Sequence, residues 1–416
     1  MKQSTPAPLP LKGIKVIELT HLIAGPYCAQ LLAEEGADVI KVEPPSGELS
    51  RLREPMRHGE GGSVSAHYVA LNRGKQSIVL DLKNEEGISI LHSLLASADV
   101  FVTNMRGAAL GRLGIHPNAL NERYPRLVIA CISGFGLENA GEYADRAGLA
   151  MVAEAMSGTT GLTRDHSGSP VWCGFALGDV LAGMSAHAAI LLALRNQERH
   201  GIGRVIDLSL VECALPMVSV ALARVQLADA TLSSFAGSND FHGVPYGAFP
   251  ASDGFVNIGV NGDAFWRRLC AAMGQPDLAT DERYATYIER AKRQSEVHGI
   301  TEAFTRAHTR EQVVAKLNDA DVPVAGILSM NEVLDLEFFK GRGALLEVDD
   351  GIGGTVTLPA DPARFDATAG MQSVPRLGQH RDQVLSEQLG LGPKDFSRLE
   401  QAGAFGLPKP TQAAAA

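Results

Sequence analysis

Residues 14–43 constrain the fold of this chain more than any other stretch. IKVIEL (14–19) is followed by the loop THLIAGP, then YCAQLLAEEG (27–36), then ADVIKVE (37–43). The β-branched apolar run 14–19 predicts a buried strand. Pro26 suits the first turn of a helix, where its missing N–H would have no partner in any case. Gly36 suits the position just past the helix end. The run 37–43 predicts a second strand. A strand–helix–strand unit of this size is a βαβ crossover, which joins parallel strands. The pattern continues with a strand at 77–82, a helix at 85–98, a strand at 99–104, a short helix in GAALGRLG and a strand at 126–136. A mixed region, 137–175, leads to a long apolar helix ending near Asn196 and a strand at 205–210. The expected fold is α/β, with a large Rossmann-like domain built on a parallel sheet.

The texture changes after residue 225, where Gly, Ser, Pro and aromatic residues cluster up to about 254. Beyond it, FVNIGV (255–260) predicts a strand and 263–274 an amphipathic helix. Further helices are expected at 283–306 and 310–320, and a returning strand at 322–329. These residues, 226–330, are expected to form a smaller α/β domain. The segment 331–400 carries LLEVDD and GTVTLP, and is expected to rejoin the first domain. The large domain is therefore discontinuous, 10–225 with 331–400, and 401–416 is expected to be a flexible tail. There is no solenoid repeat.

Several function classes are disfavoured. The formal net charge is −10 and no Lys/Arg block occurs, which argues against nucleic-acid binding. The five cysteines, at 28, 131, 173, 213 and 270, are odd in number and widely spaced, as expected for reduced thiols in a cytoplasm. MKQSTPAPLPLKG has no apolar core of a signal peptide. The apolar segment 181–194 is interrupted by Gly183, Ser185 and His187, which argues against a membrane span. THLIAGP is not G-x-G-x-x-G, so no NAD site is expected. P-loop, serine-hydrolase elbow and H-E-x-x-H motifs are absent, and no metal is expected.

One residue stands out. GFALGDVLAGMSAHAAILLAL (174–194) contains a single Asp and no Glu, Lys or Arg. Asp179 has two readings from local sequence. It is an N-cap, accepting backbone N–H bonds at a helix start. Or it is an ionised carboxylate in the positive potential of a helix N-terminus, approachable past Gly174, Ala176, Gly178 and Gly183, and able to attack a thioester as a nucleophile.

Several motifs, in order, resemble family III CoA-transferases, the CaiB/BaiF family. LKGIKVIELTHLIAGPYCAQLLAEEGADVIKVEPP resembles the family's opening. GELSR (47–51) resembles its G-D-x-x-R, with Glu48 replacing Asp. NRGKQSIVLDLKNEEG (72–87), DVFVTNMRGAALGRLGI, ISGFG (132–136) and FHGVPYGAFPASDG follow at matching places. GFALGDVLAGM aligns Asp179 with the family's nucleophilic aspartate. The resemblance covers nearly the whole chain and implies an interlocked homodimer acting on acyl-CoA and a carboxylic acid, without metal or NAD. It implies CoA transfer through aspartyl anhydride and aspartyl-CoA thioester states of Asp179. It also implies phosphate contacts from Arg106 and Arg112, with Lys83 and Lys75 nearby. Asn104 and Met105 are expected at the nucleotide edge and Leu80 beside the adenine. Leu22, Ile23 and Ala24 are expected near the thiol end. The glycine-rich segments 134–136 and 237–247 are candidates for the oxyanion hole.

Departures bear on the substrate. Formyl-CoA transferases carry a Gln where this chain has Ile23, and a polyglycine loop that it lacks. A larger donor, succinyl-CoA or another dicarboxylyl-CoA, is expected. α-Methylacyl-CoA racemases share the fold but use a His in a G-H-D element; here the stretch is RAGLAMVAEAMSG (146–158), with Leu149 and Ala150. Solvent exchange at the acyl α-carbon distinguishes that activity. A non-catalytic acyl-CoA-binding protein, or one subunit of a two-subunit transferase, are the remaining alternatives.

Overall fold

The computed structural model describes residues 8–144, 146–165, 167–228, 243–363 and 372–406. These fall into two compact units. The larger comprises 1–157, 174–218 and 338–416, and the smaller 158–173 and 219–337.

The larger unit is built on a parallel sheet. Its strands are β1 (Lys15–Leu19), β2 (Asp38–Glu43), β3 (Gln76–Val79), β4 (Val100–Thr103), β5 (Val128–Ser133) and β6 (Val205–Ser209). The order across the sheet is β3-β2-β1-β4-β5-β6, every pair parallel. Helices cover both faces, which is why the strands are apolar on both sides. α1 (Ala24–Glu34), α2 (Glu85–Leu95), α3 (Gly107–Arg112), α4 (Ala150–Met156), α5 (Leu177–His200) and α6 (Leu210–Ala214) belong to this unit.

Side-chain alternation along the strands sorts residues between two cores. Ile17, Ile40, Phe101 and Ile129 face α2, packing on Leu91, Leu94 and Leu95. Val16, Val39, Val100 and Val128 face α1 and α5, packing on Cys28, Leu32, Ala182, Ala186 and Ile190. α5 and α1 approach closely at Gly183, where a β-carbon would lie 2.8 Å from the Ala24 carbonyl oxygen. The apolar segment expected at 181–194 is part of a longer helix of 24 residues. It has the length and composition of a membrane span. Its Ala182, Ala186 and Ile190 are nonetheless packed in this core.

The smaller unit carries an antiparallel sheet of β7 (Tyr246–Ala251), β8 (Gly254–Gly259) and β9 (Val324–Gly326), with β8 central. Helices α7 (Asp263–Ala272), α8 (Gln294–Arg306) and α9 (Arg310–Asp319) pack on it through Trp266, Leu269, Phe304 and Val313. The helix expected over 283–306 is divided: Tyr287–Lys292 is separate, and Arg293 leaves helical geometry with φ −120°.

The chain then returns to the larger unit as the hairpin β10 (Leu345–Asp349) and β11 (Thr355–Pro359), whose Val348 packs against Tyr68 and Val69. The tail expected to be flexible from 401 is anchored at its start: Ala404 is fully buried and its carbonyl accepts the Asp81 N–H at 2.8 Å. Residues 407–416 lie outside the described residues.

Candidate active site

The sheet order reverses between β1 and β4. In a doubly wound sheet a crevice opens at the carboxyl ends of such strands, and ligands bind there. A cleft of about 330 Å³ occupies this place, floored by Leu19, Val42 and Leu80 and edged by Met105 and Lys83. A second cleft of about 590 Å³ shares Leu82, Lys83, Met105 and Leu113 with it and adds Arg112. Lys83 and Arg112 are exposed, so their charges stand at the rim of an apolar slot. Leu80 does two things: it is fully buried in the core and lines the first cleft.

Not every expected contact falls there. Arg106 is exposed at the N-cap of α3 but lines neither cleft. The Asn104 amide is committed to backbone: Oδ1 accepts the His21 N–H at 3.0 Å and Nδ2 donates to the His21 carbonyl at 2.7 Å. It therefore ties the loop after β1 to the end of β4 and sets the width of the crevice.

The same loop is held at its next residue. Leu22 adopts φ 65°, a conformation that non-glycine residues rarely take. Its N–H donates to Glu48 Oε2 at 3.3 Å, and that oxygen also accepts the Ser50 N–H at 2.8 Å. The extra methylene of Glu48, relative to the resembling motif, is thus accommodated. Ile23 is the N-cap of α1, and Ala24 its first residue, buried.

Lys75 requires a correction. It was expected beside the phosphates, but its side chain is fully buried. Nζ lies 2.9 Å from Glu18 Oε2 and donates to the Pro26 carbonyl at 2.8 Å and to Asn72 Oδ1 at 3.1 Å. Lys41 Nζ meets the other oxygen of Glu18 at 2.8 Å, also fully buried. Burial pulls the Lys75 ammonium down to about 8, against the opposing pull of Glu18. This cluster braces β1, β2 and the first turn of α1 from inside. Sequence carries a signal for it: Glu18, Lys41 and Glu43 interrupt strands that are otherwise apolar.

Asp179 lies in the first turn of α5, three residues past the N-cap Ala176. It is not the cap, so the capping reading fails. It is partly buried, and burial first and the nearby Glu154 carboxylate second raise its pKa to about 6. Glu154 on α4 is almost wholly buried, and its Oε1 accepts the Gly178 N–H at 2.9 Å. Sequence reading overlooks Glu154, although it is the only charge in AMVAEAM, the same signal that singles out Asp179.

The seat of α4 is set by two glycines. A β-carbon on Gly134, just after β5, would lie 2.6 Å from the Gly148 α-carbon, and one on Gly148 would lie 2.4 Å from the Gly134 α-carbon. The two backbones cross with no room for a side chain. Beyond Gly134, the Asp207 carboxylate accepts the Leu137 N–H at 2.9 Å and the Glu138 N–H at 3.0 Å. The loop 134–138 is therefore held from β6, beside the helix that supports Asp179. Of the other glycine-rich segment proposed from sequence, 237–242 lies outside the described residues.

Comparison with known proteins adds independent findings. The model of CoA-transferase family III matches residues 11–381. The succinyl-CoA–D-citramalate CoA-transferase of Chloroflexus aurantiacus is 34% identical over 94% of this chain and 97% of its own. The succinate–glutarate CoA-transferase of Agrobacterium fabrum is 34% identical over 91% of this chain and 95% of its own. Among solved structures, a CaiB/BaiF family protein from Brucella suis is 31% identical, with a TM-score of 0.80 over 92% of this chain and all of its own.

Proposed function

The chain belongs to CoA-transferase family III and is a CoA-transferase, and from that premise we propose that Asp179 carries the transfer covalently, with succinyl-CoA or another dicarboxylyl-CoA as donor. One observation carries the mechanism. Asp179 is a partly buried carboxylate in the first turn of a helix, with its pKa raised to about 6. It is ionised at neutral pH yet more basic, and so more nucleophilic, than an ordinary Asp.

An Asp179 oxygen attacks the donor thioester carbonyl. The C–S bond breaks, the electron pair leaves on the CoA sulfur, and an aspartyl anhydride forms. The thiolate then attacks the Asp179 side-chain carbonyl, releasing the donor acid and leaving an aspartyl-CoA thioester. The acceptor carboxylate runs these steps in reverse. Each step exchanges one activated acyl group for another, so no ATP is needed. The helix N-terminus and nearby backbone N–H groups supply donors for the developing oxyanions.

The switch-point clefts receive the CoA nucleotide. Lys83 and Arg112 meet its phosphates, with Arg106 further out, Met105 lies at the nucleotide edge and Leu80 lies beside the adenine. Leu22, Ile23 and Ala24 lie toward the thiol end. The names of the Chloroflexus and Agrobacterium relatives support a succinyl-type donor.

We also propose a cytoplasmic homodimer. Among the described residues, Leu149, Met151, Met184, Leu192 and Met217 of the larger unit are exposed. The resemblance to family III CoA-transferases carries this reading, and in a dimer such side chains are candidates for burial against the second copy. Sedimentation at equilibrium tests this.

The deciding experiment is intact-protein mass spectrometry after mixing with a panel of acyl-CoAs, succinyl-CoA first, followed by hydroxylamine and peptide mapping. A CoA adduct that becomes a hydroxamate at Asp179 is the expected result. CoA binding without any adduct, for every donor, would overturn the proposal.

A further inference from the structure

Asp179 stands beside a second buried carboxylate for which the mechanism above has no use. Glu154 is 1% exposed, belongs to a different helix, and accepts a hydrogen bond from Gly178, the residue before Asp179. The contact is close: a β-carbon on Gly178 would lie 3.6 Å from Glu154 Oε1 and 3.4 Å from the Ala150 carbonyl oxygen. A helix start leaves its first N–H groups unpaired, and a side chain at the N-cap ordinarily satisfies one. Ala176 cannot, and Glu154 does so from α4 instead. A neutral Gln would make the same hydrogen bond. A carboxylate replaces the amide donor with a second acceptor oxygen and adds a negative charge, set against a second negative charge.

We propose that Glu154 is a positioning residue for Asp179: its hydrogen bond to Gly178 fixes the turn, and its charge favours the states in which Asp179 is acylated and uncharged. This rests on the covalent role of Asp179. When the Asp179 oxygen bonds to the acyl carbon and the C–S bond breaks, the negative charge departs with the CoA sulfur. The anhydride and the later thioester are both neutral at Asp179. Only the free enzyme holds two carboxylates together, so Glu154 raises the free enzyme relative to both covalent states.

Other groups packed on α5 are placed further along it. Tyr27 of α1 meets it at Gly183, Cys213 of α6 interacts with Ser185, and Glu35 pairs with His187 at 2.8 Å. Among the described residues, the charge that acts on Asp179 is that of Glu154.

The test compares Glu154→Gln, which keeps the acceptor and loses the charge, with Glu154→Ala, which loses both. Three quantities are measured in the full-length enzyme. They are the Asp179 carboxyl titration, by infrared difference against Asp179→Asn in the same background; the pH profile of kcat/KM for the acyl-CoA; and the steady-state fraction of enzyme–CoA thioester. In Glu154→Gln the titration and the acid limb of kcat/KM move together to lower pH, by about half a unit, and the thioester fraction falls about threefold. Glu154→Ala loses about a further tenfold in kcat, which Glu154→Gln retains. An unmoved titration with an unchanged thioester fraction in Glu154→Gln overturns the role of charge. Equal kcat in the two variants overturns the role of the hydrogen bond. A shifted titration, beside a wild-type enzyme that never forms an adduct on Asp179, supports the coupling and sinks the nucleophile reading instead.

Discussion

At the scale of single residues, Asp179 is held out of the usual carboxylate range by burial and then by Glu154. In the proposed mechanism only the ionised form attacks, so kcat/KM for the acyl-CoA, which reports the free enzyme, is expected to fall about tenfold per pH unit below an acid limb near 6. Asp179→Asn keeps the shape and removes the nucleophile. Transfer should drop by about 10⁴-fold or more, with CoA binding retained. The same variant should be more stable than the wild type at neutral pH. A carboxyl whose folded pKa lies above its unfolded value of 3.8 contributes stability below that value and loses it as pH rises to about 6. The advantage of Asn is therefore absent below about pH 4, grows between 4 and 6, and reaches on the order of 2–3 kcal/mol above it, which urea unfolding at pH 4 and 7.5 will measure. Lys75 makes the opposite prediction. As the buried partner of Glu18, Lys75→Met should cost about 3 kcal/mol while the KM for acyl-CoA stays within about twofold; a KM effect without loss of stability would return it to the phosphate set. Asp179 is legible in sequence because a lone charge in an apolar run needs a reason. Glu154 carries the same mark, but nothing in local sequence brings residue 154 to residue 178.

At the scale of elements, the parallel sheet is legible because strands buried on both faces are continuous apolar runs, and each crossover helix repeats the signal. What escapes is short and half-exposed. The hairpin Met56–Gly59 with Gly62–Ser65 is exposed over most of its length, and β7 reads as loop because YGAFPA contains Gly and Pro. Their pairing is imposed by partners distant in sequence or by the turn, and not by periodicity. The crossing of Gly134 and Gly148 escapes for the same reason: each glycine alone resembles a loop residue, and only the fold brings them together. It yields a direct prediction. Gly148→Ala places a methyl group where backbone stands 2.4 Å away, so α4 must move. The expected cost is about 1–3 kcal/mol, read as a lower Tm. Because α4 supports the turn of Asp179, kcat should fall more than KM rises; a lower Tm with unchanged kcat would show that α4 tolerates the shift.

At the scale of the whole molecule, a chain of net charge −10 must bind a CoA ester that is itself strongly anionic. Bulk electrostatics repel the ligand, and the attraction has to be local. In the proposed reading two features of the fold provide it. The sheet order reverses at β1 and β4, so the strand ends diverge into a slot, and Lys83 and Arg112 stand exposed on its rim. The resemblance in sequence identifies these two cations, whereas composition alone points away from any anion. Exposed charges act within a Debye length of about 8–10 Å at physiological salt, and this sets the form of the effect. Removing both, as Lys83→Ala with Arg112→Ala, should weaken CoA binding by about 10- to 100-fold at low salt, through loss of two charge-assisted phosphate contacts. The difference from wild type should shrink as ionic strength rises, since salt screens the same attraction that the variant lacks. Turnover at saturating acyl-CoA should change little, because neither group reaches the acyl carbon in the proposed chemistry. Titration calorimetry of CoA across a salt series, with kcat at saturation, measures each term separately. A loss of affinity that is independent of salt would move the phosphates away from this rim. A fall in kcat with affinity intact would mean that Lys83 and Arg112 orient the thioester and do not anchor the nucleotide.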